Sequence, residues 1–242
     1  RILKPGGVAY IKTGGKWEKR VKKRPEELDE WTHYLHDASN NAVADDTVVA
    51  PPRRLQWVSA PRWSRHHDHM SSTSALVSAG GRVFYVLDEG PRQSIQLPPR
   101  WALLARDAFN GTRLWRREIP RWHPHLWPFK SGPANLPRRL VAVGQRVYVT
   151  LGVGEPVSAL DAATGETVRT YDATGGAEEI LVHNGVLFVR TDPNAAGPVG
   201  YRRQKWWIAD ERNRLLTDHA WDRRERLVQA LDAETGRLLW RT

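Results

Sequence analysis

A short phrase occurs three times in this chain of 242 residues, and it constrains the fold more than any other feature. Each copy reads Asp-Ala-x-x-Gly, at Asp107–Gly111, Asp161–Gly165 and Asp232–Gly236. The Asp carboxylate can accept hydrogen bonds from turn amides, and the Gly can supply the positive φ that a hairpin turn needs. We therefore expect Asp107, Gly111, Asp161, Gly165, Asp232 and Gly236 to be structural turn residues. Repetition at spacings of tens of residues is typical of stacked structural units.

A second repeated segment precedes each copy of the phrase. Residues 76–86, 140–149 and 181–189 each alternate around a Gly-containing turn, which predicts two strands joined by a tight turn. Together the two segments give four antiparallel strands, which is one blade of a β-propeller. An immunoglobulin-like sandwich is the alternative, but sandwiches do not repeat one turn phrase. The sequence predicts an all-β fold: a partial β-propeller of four-stranded antiparallel blades, three of them clear and one partial.

Charge and composition narrow the function classes. The net charge is +10, but nine of the 37 Lys and Arg lie in residues 1–24 beside a single acid, so the rest of the chain is nearly neutral. This favours a solvated basic linker over a nucleic-acid surface. The chain has no cysteine, which excludes disulfides and thiolate metal sites. It also lacks an 18-residue apolar run, so no membrane span is predicted.

The N-terminal segment carries a motif of a different kind. Leu3-Lys4-Pro5-Gly6-Gly7 leads into a short apolar strand. This motif resembles the late motif of class I S-adenosylmethionine-dependent methyltransferases, where it precedes the fifth strand of their sheet. The resemblance implies that residues 1–16 are an α/β remnant of a methyltransferase-like domain. The chain would then be a fragment that spans a domain junction.

A linker is predicted between this remnant and the propeller. Residues 17–50 begin with a basic stretch, and Pro25 starts a short helical pattern with acids in its first turn. On that helix Leu28, Trp31 and Leu35 would share one face, with His33 and His36 on the opposite, polar face. Residues 51–242 are assigned to the quinoprotein-like propeller blades, which form an incomplete ring.

Four segments together are similar to those of one bacterial family. They are residues 31–41, 51–57, 63–69 and 106–111. The family consists of large proteins, common in planctomycete-type bacteria, that pair a methyltransferase-like domain with a pyrroloquinoline-quinone-type propeller. This resemblance implies the fold and the neighbouring domain, and it favours an exported or periplasmic location. Pyrroloquinoline quinone (PQQ) or S-adenosylmethionine is implied as a cofactor only through it, and none is expected in this fragment.

The predicted topology separates short turns from long connections. In each blade the tight turns emerge at one end, whereas residues 60–73, 88–100, 118–137 and 192–226 emerge at the other. Insertions on one face of a repeat protein usually mark its binding face. The candidate binding-face residues are Trp63, Asp68, Asp88, Glu89, Trp122, Trp127, Glu178 and Glu179.

Histidines on the same face suggest a divalent metal site. His66, His67 and His69 lie in one connection, and His123 and His125 in another. In an extended segment His67 and His69 point the same way, so further ligands would have to come from the second connection. Imidazole and carboxylate groups suit zinc, copper or iron. The alternative is that these imidazoles cap turns or lie solvated beside Trp.

Three functions remain open from the sequence. The first is a non-catalytic binding module for a protein, glycan or small molecule, because no Gly-x-Ser-x-Gly, His-Glu-x-x-His or phosphate loop is present. The second, implied by the likeness of the repeat to quinoprotein alcohol dehydrogenases, is part of a quinone-dependent dehydrogenase. The third is the substrate-selecting part of a methyltransferase. We expect the binding module, acting together with the remaining blades of a larger protein.

Overall fold

The described residues form three consecutive four-stranded antiparallel sheets and an N-terminal hairpin. The computed structural model describes residues 3–47, 53–65, 72–94, 97–122, 136–194 and 225–242. The hairpin pairs β1 (Val8–Thr13) with β2 (Lys16–Val21). The first sheet comprises β3 (Thr73–Ala79), β4 (Arg82–Asp88), β5 (Trp101–Asp107) and β6 (Arg113–Ile119).

The second and third sheets repeat this order. The second contains β7 (Leu140–Val143), β8 (Arg146–Thr150), β9 (Val157–Asp161) and β10 (Thr167–Tyr171), preceded by a 3-10 turn, Pro137–Arg139. The third contains β11 (Ala177–His183), β12 (Val186–Thr191), β13 (Leu227–Asp232) and β14 (Leu238–Arg241), preceded by the 3-10 turn Asp172–Thr174. Within each sheet, each strand pairs with the next in sequence. This order confirms the predicted partial β-propeller of four-stranded blades.

The core lies between the sheets. One apolar cluster joins the first sheet to the second and includes Phe84, Leu103 and Leu160, all fully buried. A second cluster joins the second sheet to the third around Ile180 and Leu187. The first strands β3, β7 and β11 contact one another in sequence, which places them at the common axis. The outer strands β10 and β14 are largely exposed. Packing between sheets therefore supplies the burial that a single sheet lacks.

A repeated contact closes each seam between neighbouring segments. Trp115 Nε1 on β6 donates a hydrogen bond to Ala162 O in the next sheet at 3.0 Å. Its ring lies where a Cβ on Gly165 would come within 2.6 Å, so the turn accepts only glycine there. Trp57 makes the equivalent bond to Ala108 O at 2.9 Å, and Tyr171 Oη bonds Ala233 O. The outer-strand aromatic and the Asp-Ala-x-x-Gly turn are thus two halves of one contact.

The three repeated turns have one geometry. The φ values of Gly111, Gly165 and Gly236 are 73°, 76° and 77°. In each turn the Asp side chain accepts hydrogen bonds from the amides two and three residues later. In the second sheet, the amides of Thr164 and Ala163 lower the pKa of the Asp161 carboxyl because they stabilise its charged form. A spacing of four residues between Asp and Gly therefore specifies this turn.

The linker differs from its prediction in two places. Residues 17–21, assigned to a basic linker, belong to strand β2 of an exposed hairpin. The helix predicted from Pro25 to His36 is wrong: these residues are extended or in turns, and His33 and His36 form an isolated β-bridge. The reason is tertiary, since Trp31 and Thr32 use their carbonyl groups to bind other sheets instead of an intrahelical partner. His36 also has a φ of 72°, which is incompatible with a helix.

Candidate functional site: the two ends of the sheets

The sheets have two chemically different ends. The tight-turn end carries the hairpin turns at residues 80–81, 144–145 and 184–185 beside the three Asp-Ala-x-x-Gly turns, to which they are hydrogen-bonded. The opposite, long-loop end carries the starts of β3, β7 and β11 and the connections that enter them. Side-chain chemistry differs sharply between them, and each end is described in turn.

A strap of residues 29–37 lies across the tight-turn end of the axis. Trp31 O accepts a hydrogen bond from Ser78 N in β3, and Thr32 O accepts one from Ala142 N in β7. The ring of His33 accepts a third, through Nε2, from Val182 N in β11 at 3.1 Å. Ser78, Ala142 and Val182 each lie two residues before the first turn of their sheets. Three consecutive strap residues therefore bind three equivalent amides, one from each sheet.

The histidines of the strap are buried and fully engaged. His33 and His36 are 2% and 4% exposed, not on the polar outer face that the helical prediction gave them. Because Nε2 of His33 accepts the Val182 amide, the neutral ring carries its proton on Nδ1 and donates it to Thr32 Oγ1 at 2.7 Å. Burial lowers the pKa of His33 to about 4. His36 Nε2 pairs with Asp29 Oδ2 at 2.6 Å.

Arginines and acids converge at the long-loop end of the second and third sheets. The turn Pro137–Arg139 contacts β3, β8 and β11, which places it near the axis. Arg226 Nε binds Glu178 Oε2 at 2.8 Å, and Arg190 Nη2 lies 3.3 Å from the same oxygen. We call this group the axial arginine cluster; its members are Arg138, Arg139, Thr150, Glu178, Glu179, Arg190, Asp192 and Arg226.

Arg139 is the unusual member of the cluster. It is only 5% exposed, yet its Nε and Nη1 have no hydrogen-bond partner among the described residues. Desolvation lowers the pKa of its guanidinium to about 10, and the nearby charge of Glu178 opposes that shift. A buried guanidinium with unpaired donors is costly, because its desolvation is not offset by hydrogen bonds. Its neighbour Arg138 is instead paired with Glu179.

Other unpaired polar atoms lie at the same end. Among the described residues, the buried side-chain polar atoms without a partner are Arg139 Nε and Nη1, Thr150 Oγ1, Arg190 Nε and Gln229 Oε1. Thr150 and Arg190 stand at the long-loop ends of β8 and β12, and Gln229 bonds Ala173 in the connection before β11. Native interiors leave few such groups unpaired, and each one needs an explanation.

The predicted binding-face residues lie in different environments. Glu178 and Glu179 belong to the axial arginine cluster. Asp88 is 2% exposed and binds Arg65 Nη1 at 2.6 Å, and Glu89 Oε2 binds Arg116 Nε at 2.7 Å. Trp63 is 64% exposed, whereas Trp122 is 3% exposed and donates to Ser74 Oγ. Trp122 thus packs in the core, where it is not available at the surface.

The predicted metal ligands cannot be placed. His66, His67, Asp68, His69, His123, His125 and Trp127 lie outside the described residues. Within the described part of the chain, no group of three or more His, Asp or Glu is arranged to hold a metal ion. In the same part, no helix has the length and apolarity needed to cross a membrane.

The axial arginine cluster and the strap were not found by sequence reasoning. Arg138-Arg139 precedes an apolar strand and looks like an ordinary solvated basic pair. Its only signal is position, since it enters a first strand that lines the axis. The strap was not predicted because Leu28, Trp31 and Leu35 have the spacing of an amphipathic helix.

Several solved structures resemble this chain. The quinohemoprotein alcohol dehydrogenase ADHIIG from Pseudomonas putida HK5 is 15% identical, with a TM-score of 0.46, over 88% of this chain and 26% of that chain. The quinohemoprotein alcohol dehydrogenase of Comamonas testosteroni is 14% identical, with a TM-score of 0.43, over 88% of this chain and 27% of that chain. BamB from Moraxella catarrhalis is 13% identical, with a TM-score of 0.31, over 69% of this chain and 47% of that chain. The chain thus spans between about a quarter and about half of these proteins. No curated protein matches the sequence.

A family profile gives the firmer assignment. The profile described as "Outer membrane protein assembly factor BamB" matches residues 102–242, which is more than half of the chain. The match includes all strands of the second and third sheets and the outer half of the first. It covers each Asp-Ala-x-x-Gly turn. On this evidence the chain belongs to the PQQ-like repeat family of outer membrane protein assembly factor BamB.

Proposed function

We propose that this chain is a non-catalytic interaction module of a longer protein, and that its long-loop end binds a partner protein by accepting a carboxylate at Arg139. The observation that carries the proposal is the set of unpaired buried polar atoms at that end. Family membership supports a protein partner, because the family is described as an assembly factor. The spans matched in similar structures support a longer parent protein.

The charge balance of the axial arginine cluster suits an anion. Arg138, Arg139, Arg190 and Arg226 face three carboxylates, Glu178, Glu179 and Asp192. Among the described residues of the cluster, the arginines outnumber the carboxylates by one. Because Arg138 and Arg226 are engaged by these acids, the uncompensated charge falls on the buried Arg139. A carboxylate that accepts a hydrogen bond from Arg139 Nε or Nη1 would offset the desolvation of the guanidinium through a charge-assisted hydrogen bond.

The strap supports the choice of end. At the tight-turn end, three inner-strand amides that could receive a ligand are already bonded by residues 31–33. Only the long-loop end offers buried polar groups that lack partners among the described residues. A ligand on the axis therefore gains most from hydrogen bonding at Arg139 and its neighbours.

A quinone-dependent dehydrogenase is not supported by the residues in hand. That chemistry implies PQQ with a metal ion held by several oxygen ligands. The described residues contain no group of three or more acids or histidines that could supply those ligands, and the chain has no cysteine for the disulfide often found in such sites. These residues do not fit the cofactor, and no catalytic step is derived through it.

The origin of residues 1–16 and the location of the protein are also proposals. The family profile starts at residue 102, so it leaves residues 1–16 unmatched, and their origin in a methyltransferase-like domain remains a prediction, as does substrate selection for such a domain. Export to the cell envelope is proposed from the family description, which refers to the outer membrane.

The proposal is tested with citrate, a compact tricarboxylate, as the probe. We expect citrate to raise the melting temperature of the wild-type chain more than chloride at equal ionic strength does. The Arg139→Met variant should lose this effect. It should also unfold at an equal or higher temperature without ligand, because an apolar side chain removes the desolvation cost of a buried charge that lacks hydrogen-bond partners.

Arg138→Met is the matched control. Arg138 is adjacent and partly exposed, and its ion pair with Glu179 is expected to contribute only about 0–1 kcal/mol. This variant should keep the citrate effect. An Arg139→Met variant that is less stable but still responds to citrate would contradict the proposal, since Arg139 would then be a structural residue.

A further inference from the structure

A separate cleft lies beside the outer half of the first sheet. The side cleft has a volume of about 510 Å³ and runs between residues 59–65 and the first sheet. This volume falls within the range of small-ligand sites, about 300–1,000 Å³. Its lining residues are Ser59, Ala60, Pro61, Trp63, Arg65, Asp88, Glu89, Gly90, Arg92, Arg106 and Arg113. Nothing in the proposed function uses this cleft.

The acids of the cleft are already neutralised. Asp88 is buried and accepts hydrogen bonds from Arg65 Nη1 and from the amides of Gly90 and Arg100, all at 2.6–2.7 Å. Glu89 binds Arg116, which comes from β6. Neither carboxylate is available to balance another cation. Their role is to hold the wall of the cleft, because the Arg65–Asp88 pair is almost fully buried.

The remaining arginines lack acidic partners. Arg106 is 6% exposed, and among the described residues its guanidinium binds neutral oxygens: Tyr85 Oη at 2.7 Å, Gly111 O at 2.8 Å and Ala60 O. Arg92 and Arg113 are exposed, and neither has an ion pair within the described residues. Arg92 follows the loop at the long-loop end, whereas Arg106 and Arg113 flank the Asp107 turn at the other end. The cleft is therefore cationic at both ends.

The rim of the cleft offers a flat apolar surface. Trp63 is 64% exposed, and Arg62 lies over its ring at 5.4 Å. An exposed indole in a polar cleft provides a face for stacking a sugar ring, and arginine forks match carboxylates. Uronic-acid sugars carry one ring and one carboxylate in every unit, so they fit both features. A neutral sugar would leave the positive charges unbalanced.

We infer that the side cleft binds an acidic oligosaccharide of the uronic-acid class. Its carboxylates meet Arg113 at one end and Arg92 at the other, and one sugar ring stacks on Trp63. The site is independent of Arg139, since the cleft lies on the first sheet and its lining residues include none of the axial arginine cluster.

Tetragalacturonate is the probe for this inference, with affinity measured by isothermal titration calorimetry on the whole chain. We expect Arg113→Glu and Arg92→Glu each to weaken binding at least tenfold, and Trp63→Ala to weaken it about fivefold. These three side chains are exposed, so their replacement leaves the fold intact, which far-UV circular dichroism verifies. Arg241→Glu, an equal charge change on the exposed strand β14, is the control and should bind as the wild type does.

Three results would overturn the inference. Equal affinity in the wild type and all three cleft variants would place the sugar elsewhere. A neutral tetrasaccharide that binds as tightly as tetragalacturonate would show that charge is not recognised. A hexa-aspartate peptide that binds more tightly than tetragalacturonate would assign the cleft to acidic peptides instead. An unchanged affinity in Arg139→Met separates this test from that of the proposed function.

Discussion

The two ends of the sheets differ in how their buried polar groups are hydrogen-bonded. At the tight-turn end, each Asp-Ala-x-x-Gly turn accepts an aromatic side chain, and the strap satisfies one inner-strand amide of every sheet. At the long-loop end, some buried side-chain N–H, hydroxyl and carbonyl groups have no partner within the part of the chain that the structure describes. The chain itself supplies the hydrogen-bond partners at the tight-turn end, whereas the long-loop end presents polar groups to which a ligand can bind.

This difference separates stability from binding. Residues that pack a seam contribute to folding, and their loss should be felt throughout the sheets. Residues such as Arg139 oppose folding in the free chain, because their hydrogen-bonding capacity is unused. Functional sites commonly carry such a cost. Substitutions at the two ends should therefore change stability in opposite directions.

The largest effect is expected at the seam between the first two sheets. Replacing Trp115 by Ala removes a buried ring and its hydrogen bond to Ala162 O. Large-to-small changes of this kind cost about 3–5 kcal/mol. Denaturant unfolding measures the loss, and Trp17→Ala serves as the control, because Trp17 is 67% exposed on the N-terminal hairpin. A loss for Trp115→Ala no larger than the control would remove the seam as a source of stability.

Acid should weaken the tight-turn end through His33. The pKa of this buried histidine is about 4 in the folded chain against 6.5 in the unfolded one. As pH falls from 6.5 to 4, the unfolded chain binds a proton that the folded chain does not, so the free energy of unfolding falls by about 3 kcal/mol. Above about pH 7.5 the free energy of unfolding no longer depends on pH through His33, because the ring is neutral in both states. The charged or titratable neighbours that act on it are Asp37, His183 and His36.

The measurement is the free energy of unfolding from pH 7 to pH 4 for the wild type and for His33→Leu. Carboxylates with lowered pKa values, such as Asp161, also lose stability in acid, but they do so in both proteins. The difference between the two curves isolates His33 and should shrink as pH falls. Parallel curves would show that His33 is not buried in its neutral form.

At neutral pH the His33→Leu variant should have a lower free energy of unfolding than the wild type, by less than the loss expected for Trp115→Ala. His33→Leu keeps the volume of the side chain but leaves the buried Val182 amide without its acceptor, which costs about 1–3 kcal/mol. His183→Leu is the control, because His183 is exposed on the same strand, β11. Equal stabilities of the two variants at pH 7 would show that the strap does not depend on His33.

The sequence predicts one side of this comparison well and the other poorly. Turn chemistry is local: Asp161 and Gly165 act within five residues, so a repeated phrase is enough to identify a blade. The strap and the axial arginine cluster are non-local. His33 binds a strand 149 residues later, and Arg139 is buried only because the first strands of the first and third sheets meet around it. Neither contact leaves a periodic signal.

The helical prediction illustrates the same limit. Leu28, Trp31 and Leu35 have helical spacing, but an isolated helix of this length is marginal, and bonds to the three sheets outweigh it. For the candidate site, Glu178 and Glu179 could be assigned to the long-loop end from strand order alone. Their arginine partners could not, because Arg138, Arg190 and Arg226 come from the turn before β7, from strand β12 and from the segment just before β13.

The central claim is that ligands bind at the long-loop end of the axis and not at the strap. Amide chemical shifts in ¹H–¹⁵N spectra, recorded while citrate is added, test it directly. We predict that the largest shifts occur at Arg139, Thr150, Glu178 and Arg190, and that Ser78, Ala142 and Val182 remain unchanged. Shifts concentrated at Ser78, Ala142 and Val182, with none at Arg139, would contradict the account.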